Sequence, residues 1–202
     1  VNWNLPAGWV LMPLYQRLGV VRTAVRPEQI RPQDIYVGLE HVSSATGEYR
    51  GVPAIEAGIK SGKFRFQPGD LLYGKLRPNL RKCAVARESG VCSTDLIPLR
   101  PFDPETAFLL ALQLRSQNLT EAVMRMISGA SLPRVNVKDL LVLEVPVPSA
   151  ADRIRVQAAA KRVSRVRSSL RTLEEGVVCL EAASTALALG QLVDAAEPAS
   201  VG

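Results

Sequence analysis

The chain has 202 residues, 47% of them apolar and 22% charged, with a net charge of +6. That composition supports one sizeable core plus an extended element or small second domain, and excludes a disordered chain. Cys83, Cys92 and Cys179 match no zinc spacing and have only His41 to help, so no structural metal is expected and free thiols fit a reducing cytoplasm.

In chain order, LPAGWVLMPLYQRLG (Leu5–Gly19) has a turn at Pro6–Gly8 and then an apolar run, a strand leading into a short helix. Pro27 and Pro32 break the next segment, and IYVGLEHV (Ile35–Val42) alternates as a strand does. SSATGEYRG (Ser43–Gly51) is polar and reads as a loop. KFRFQ (Lys63–Gln67) and DLLYGKL (Asp70–Leu76) read as a strand pair divided by Pro68-Gly69, and residues 81–101 as two strands turning at Glu88–Gly90. From Phe108 to Ser128 the spacing is helical, as two helices or one bent helix ending at Gly129. SGASLPRVN (Ser128–Asn136) is a loop, and KDLLVLEVPVP (Lys138–Pro148) brings a short turn and a last strand. No apolar run reaches the length of a membrane span and no signal-type segment opens the chain, so the expected location is cytoplasmic.

After Pro148 the pattern changes. Val156, Ala159, Val163, Val166, Leu170, Leu173, Val177, Leu180, Ser184 and Leu187 step by threes and fours, a heptad seam with arginines between its positions. A helix of roughly 40 residues would reach about 60 Å at 1.5 Å per residue, against a radius of gyration near 15 Å for a body of this size. Two accounts of the seam stay open: a hairpin broken at Gly176 and packed on its own body, or a coiled coil with another chain. The division is therefore residues 1–148 as a compact domain, 149–190 as the long helix and 191–202 as a disordered tail.

The charge is concentrated. Lys60, Lys63, Arg65, Lys75, Arg77, Arg81 and Lys82 face one acid, Asp70, within a single window. Cations around the Pro78-Asn79 break of a hairpin can reach phosphates, an arginine can grip guanine, and Asn79 can pair with adenine. The alternative is a solvated hairpin that discourages edge pairing. Ser131, Arg134, Asn136 and Lys138 in the later loop, and Tyr49 with Arg50 in the earlier one, are further hydrogen-bonding candidates with the same two readings. Catalytic signatures are missing: no nucleophile elbow, no P-loop, no dinucleotide fingerprint, and no acid cluster with nuclease spacing. His41 beside Glu40 reads as a polar residue at a strand end. The chain is expected to perform no chemistry by itself.

The order of segments resembles a target-recognition domain from the specificity subunit of type I restriction–modification systems. The matching pieces are LPAGWVLMPL, YVGLEHV, the run from Phe66 to Ala86, GVCSTDLIPLRP, SGASLPRVNVKDLLVLEVPVP and the long helix. The resemblance implies an α+β fold: a compact mixed α/β target-recognition domain followed by a long C-terminal coiled-coil helix. It implies a non-catalytic subunit that binds double-stranded DNA and docks a DNA methyltransferase subunit, with a restriction or translocase subunit as a further partner. No cofactor or metal would be held by this chain; S-adenosylmethionine would sit in the methyltransferase. Val156, Val163, Val166, Leu170, Leu173, Val177, Leu180 and Leu187 would form the dimerisation or partner surface. One recognition domain with one helix resembles a half-size subunit, which would act as a homodimer on a bipartite palindromic target. A fragment of a longer two-domain subunit fits equally. The competing functional reading is a stand-alone DNA-binding regulator without a methyltransferase.

Overall fold

The computed structural model describes residues 3–127 and 133–196, with side chains of the final helix described as far as Leu180 apart from Arg171, Glu174, Glu175 and Cys179. Strands β1 (Val10–Pro13), β2 (Leu18–Val20), β3 (Ala24–Val25), β4 (Ile35–Val37), β5 (Val52–Pro53), β6 (Lys63–Phe66), β7 (Leu71–Gly74), β8 (Cys83–Val85), β9 (Gly90–Cys92) and β10 (Leu96–Pro101) precede the first α-helices. Helices α1 (Ala107–Leu114), α2 (Gln117–Met126) and α3 (Val137–Leu141) follow, then β11 (Glu144–Val147) and the long α4 (Arg153–Ala196).

The strands form three sheets. β1 and β11 pair antiparallel, from Val10 opposite Val147 to Pro13 opposite Glu144, and so close the body where α4 departs. A four-stranded antiparallel sheet runs β2-β10-β7-β8. A five-stranded sheet runs β3-β6-β9-β4-β5, antiparallel except where β4 lies parallel to β9.

The four-stranded sheet is a wall between two cores, as the period of two along a strand requires. Leu71 and Tyr73 of β7, Cys83 of β8, and Ile97 and Leu99 of β10 point toward Leu110, Leu114, Leu119 and Val123 of the helices. Their neighbours Leu72, Ala84 and Leu96 point the other way, toward Val37, Phe66 and Cys92 of the five-stranded sheet. Buried on both faces, these strands read as near-continuous apolar runs. Each fully buried leucine contributes about 2 kcal/mol of apolar burial.

Several sequence expectations need correction. The segments Lys63–Phe66 and Leu71–Gly74 are not each other's partners: β6 belongs to the five-stranded sheet and β7 to the four-stranded one. The chain changes sheet at Gly69, whose φ of +89° suits glycine, and Asp70 caps the bend by accepting from the Gln67 N–H at 2.8 Å. Residues 81–101 hold three strands, and β8 and β9 lie in different sheets. The strand expected over Ile35–Val42 ends at Val37; a 3-10 turn at Leu39–His41 follows, closed by the Gly38 N–H donating to His41 Nδ1 at 3.0 Å. The helical stretch after Phe108 is two helices, with Ser116 capping the second through the Leu119 N–H.

Helix α4 is continuous through Gly176, which rules out the hairpin broken there, and it runs to Ala196, past the end expected at residue 190. Residues 197–202 lie outside the described residues. The helix meets the body along α1 through a face containing Ala160, Ser164 and Arg167, not through the heptad seam. Val163, Val166, Leu170, Leu173, Val177 and Leu180 stay 40% to 71% exposed, and Val156 is half-buried. Leu187 lies on α4, its side chain outside the described residues.

Candidate nucleic-acid interface

The connection from β7 to β8 carries the concentrated charge. A 3-10 turn at Pro78–Leu80 forms its tip, with Leu80 N–H donating to Arg77 O at 2.9 Å and Arg81 N–H to Pro78 O at 2.9 Å. Proline at the first position suits that turn because its φ is already set. The residues bracketing it, Arg77 and Arg81, have φ of +50° and +52° and are the only described non-glycine residues in the left-handed region. An L-residue pays about 1–2 kcal/mol there. A glycine would avoid that strain, and both positions hold exposed arginines instead. Among the described residues neither guanidinium has a hydrogen-bond or ion-pair partner.

The later loop lies against this connection. Arg77 N–H donates to Pro133 O at 2.8 Å, Val135 N–H to Lys75 O at 3.0 Å, and Leu76 bridges antiparallel to Arg134. Two segments distant in sequence thus form one surface. Arg115, at the end of α1, fixes the earlier loop to it. Its guanidinium donates to the carbonyls of Ser44 at 3.0 Å, Ala45 at 2.9 Å, Thr46 at 2.8 Å and Arg81 at 3.2 Å. Gly47, φ +74°, is required beside it, because a Cβ would stand 2.5 Å from the Arg115 Nη1. Burial, with the like charges of Arg167 and Arg81, pushes the Arg115 pKa down.

The sequence candidates divide accordingly. Arg77, Asn79, Arg81, Lys60, Arg50 and Lys138 are exposed. Arg134 and Asn136 are exposed as well, but their side chains, like those of the remaining described candidates, meet partners within the fold. Lys63 is buried, its ammonium donating to Ser61 O at 2.8 Å and Ser61 Oγ at 2.9 Å, and desolvation lowers its pKa. Arg65 donates to Gln29 O at 2.9 Å and pairs with Asp34 at 3.4 Å. Lys82 donates to Leu39 O at 2.8 Å. Lys75 is half-buried with its ammonium 5.9 Å from the Phe64 ring centroid, and burial lowers its pKa.

Tyr49 packs edge-on against Phe66 and its hydroxyl accepts the Arg87 N–H at 3.1 Å, so it is a core residue. Arg134 is held by Asp95 at 2.6 Å. The Asn136 side chain caps α3 by accepting the Lys138 N–H at 3.0 Å. Ser131 lies outside the described residues. Sequence reasoning missed Arg115 and Arg87: both are isolated arginines, and nothing in their spacing reports the carbonyls or the Glu48 carboxylate that they meet.

Among the described residues no cluster of three His, Cys, Asp or Glu side chains could hold a metal, and no helix is long and apolar enough to cross a membrane.

No protein-family model matches the chain. Over 175 residues it is 28% identical to the Type I restriction enzyme EcoDI specificity subunit of Escherichia coli, a match covering 86% of this chain and 38% of that one. The chain therefore spans under half the length of this curated relative. The HsdS subunit from Thermoanaerobacter tengcongensis superposes with a TM-score of 0.63 at 23% identity, over 86% of this chain and 46% of that one. The type I restriction–modification S subunit from M. genitalium gives 0.56 at 16% identity, over 87% and 42%. A chain from a structure concerning complex assembly and conformational transition of the type I R-M system gives 0.59 at 20% identity, over 100% and 53%. These likenesses show the fold, an α+β body followed by a long helix.

Proposed function

We propose that this relative of type I specificity subunits is a DNA-recognition module without catalytic activity, which positions a DNA methyltransferase subunit on its target. The observation that carries the DNA reading is the pair of exposed left-handed arginines, Arg77 and Arg81, bracketing the rigid Pro78–Leu80 turn. Strained backbone persists where the surrounding structure over-determines it, and here the pairing with residues 133–135 and the Arg115 clamp do so. The module reads base edges with Arg77 and Asn79 and grips phosphates with Arg81 and the flanking cations.

The exposed seam of α4 takes the second role. Two copies pairing their helices place two recognition domains at opposite ends, and the twofold axis calls for a palindromic, bipartite target. S-adenosylmethionine belongs to the methyltransferase partner, and a restriction subunit joins the same assembly.

The test is the solution mass of the protein, alone and mixed with a type I methyltransferase subunit, together with its affinity for a mixed-sequence duplex across a salt series. A dimer that captures methyltransferase and binds duplex with a steep salt dependence supports the reading. A monomer that binds duplex and ignores methyltransferase points to a stand-alone regulator. A protein with no affinity for duplex overturns both.

A further inference from the structure

A cavity of about 420 Å³ opens between the hairpin connection, the start of α2 and the body-facing side of α4. Its walls include Arg81, Arg115 and Arg167, with Ser44, Ser116 and Gln117, and no carboxylate lines it. Three guanidiniums brought to one cavity repel one another, and Arg167 and Arg81 both act on Arg115 in that sense. Of the nearby carboxylates, Glu48 is paired with Arg87 and accepts from Ser164 Oγ at 3.4 Å, and Glu121 accepts from Gln117 Nε2 at 2.9 Å. Arg115 is committed to four backbone carbonyls, whereas among the described residues the Arg81 and Arg167 guanidiniums have no hydrogen-bond or ion-pair partner and can close on a ligand. Ser116 and Gln117 begin α2, so the N-terminus of that helix borders the same space.

We propose that this cavity is a phosphate-binding site, in which Arg81 and Arg167 grip one phosphoryl group while Arg115 holds the frame and adds its charge. Guanidinium forks match phosphate oxygens in geometry, and a tetrahedral anion can accept from the hairpin and from α4 at once. Resting on the DNA reading above, the source is a backbone phosphate of the duplex, because Arg81 is common to the cavity and to the exposed recognition turn. Free inorganic phosphate offers the same chemistry, and the experiment separates the two.

The full chain and its Arg167→Gln, Arg167→Lys and Arg81→Gln variants are titrated with a mixed-sequence duplex across a salt series. In parallel, thermal melts are recorded with and without inorganic phosphate at constant ionic strength. With a backbone phosphate, Arg167→Gln makes the slope of log K against log salt less steep by about 0.9, the value of one lost contact. Arg167→Lys recovers most of it, and combining Arg167→Gln with Arg81→Gln adds little, because both act on one group. An unchanged slope, with phosphate raising the wild-type melt but not that of Arg167→Gln, keeps the site and assigns it to the free anion. If Arg167→Gln leaves the salt slope unchanged and phosphate shifts no melt, the proposal is overturned. A wild type that ignores duplex removes the DNA reading, and the phosphate melt then decides the site alone.

Discussion

Arg100 clasps the Asp70 carboxylate with two hydrogen bonds, Nε to Oδ1 at 2.7 Å and Nη2 to Oδ2 at 2.8 Å, at the point where the chain leaves one sheet for the other. Asp70 is 0% exposed, and the same carboxylate accepts the Gln67 N–H. The pair ties the sheet change to β10, one of the two inner strands of the four-stranded sheet.

Removing one member of a buried pair strands the other, so Arg100→Ala should destabilise the fold by about 3 kcal/mol, toward the lower end of the range because Arg100 itself is half-exposed. Denaturant unfolding checks this: the midpoint should fall with the slope unchanged. A midpoint shift within the scatter of ordinary surface substitutions would mean that the bend holds without the clasp.

Asp34 sets an acid limb. Burial raises its carboxyl pKa, but hydrogen bonds from the Arg31 N–H at 3.1 Å and Arg31 Nε at 3.0 Å, with Arg65 beyond, outweigh burial and hold it below the ordinary carboxylate range. A pKa depressed on folding gives stability above the unfolded value, near 4, which is lost as pH falls through the folded one. Asp34→Asn should therefore be less stable than wild type at neutral pH, with the gap narrowing at acid pH. Unfolding midpoints across pH test the sign; a gap that widens on acidification contradicts it.

How far the residues themselves foretold this can be seen strand by strand. The two helices after Phe108, the long helix and the β7–β8 hairpin were legible, because hydrophobic period and turn residues are local signals. The sheet changes at Gly69 and between β8 and β9 were not. A run such as KFRFQPGDLLYG looks the same whether its halves pair or part, and the Asp70–Arg100 clasp that decides the matter spans 30 residues. Likewise the charge window was visible and its division was not. Lys63 and Lys82 are lost to backbone carbonyls that no sequence spacing announces, whereas the Arg77 and Arg81 guanidiniums have no partner among the described residues.

The buried thiols give a chemical test of the cores. Burial pushes the pKa of Cys83 and of Cys92 up to about 12. Near pH 8 only on the order of one in ten thousand of each would be thiolate. Iodoacetamide should leave both unmodified in the native protein and alkylate both in guanidinium, as read by peptide mass. Rapid native labelling of either would show that its core opens.

The left-handed arginines should reveal a conflict between stability and binding. Arg77→Gly relieves the backbone strain, offset in part by glycine's larger loss of entropy on folding, so the fold should be unchanged or stabilised by about 0.5 kcal/mol. Duplex affinity should fall at the same time. Arg77→Val, β-branched at φ +50°, should destabilise instead. Lys63→Met is the contrast: its ammonium is already turned inward, so duplex affinity and its salt slope should stay at the wild-type value. A Lys63→Met variant that lost a full phosphate's worth of slope would return that lysine to the binding face.

The seam of α4 allows the sharpest separation of fold from assembly. Leu170 and Leu173 are 52% and 66% exposed in the single chain, so nothing in the body depends on them. An aspartate at an uncovered position changes the stability of a monomer by no more than about 0.5 kcal/mol. The same aspartate at a heptad core position places a charge where a second helix would pack. Leu170→Asp and Leu173→Asp should therefore keep the wild-type melting of the body and lose self-association or methyltransferase capture, as read by light scattering. Because α4 docks on α1 through Ala160, Ser164 and Arg167 instead, the opposite face is free along its described length, and a wild type that stays monomeric both alone and beside a methyltransferase subunit would leave that apolar stripe without a partner and retire the assembly part of the reading.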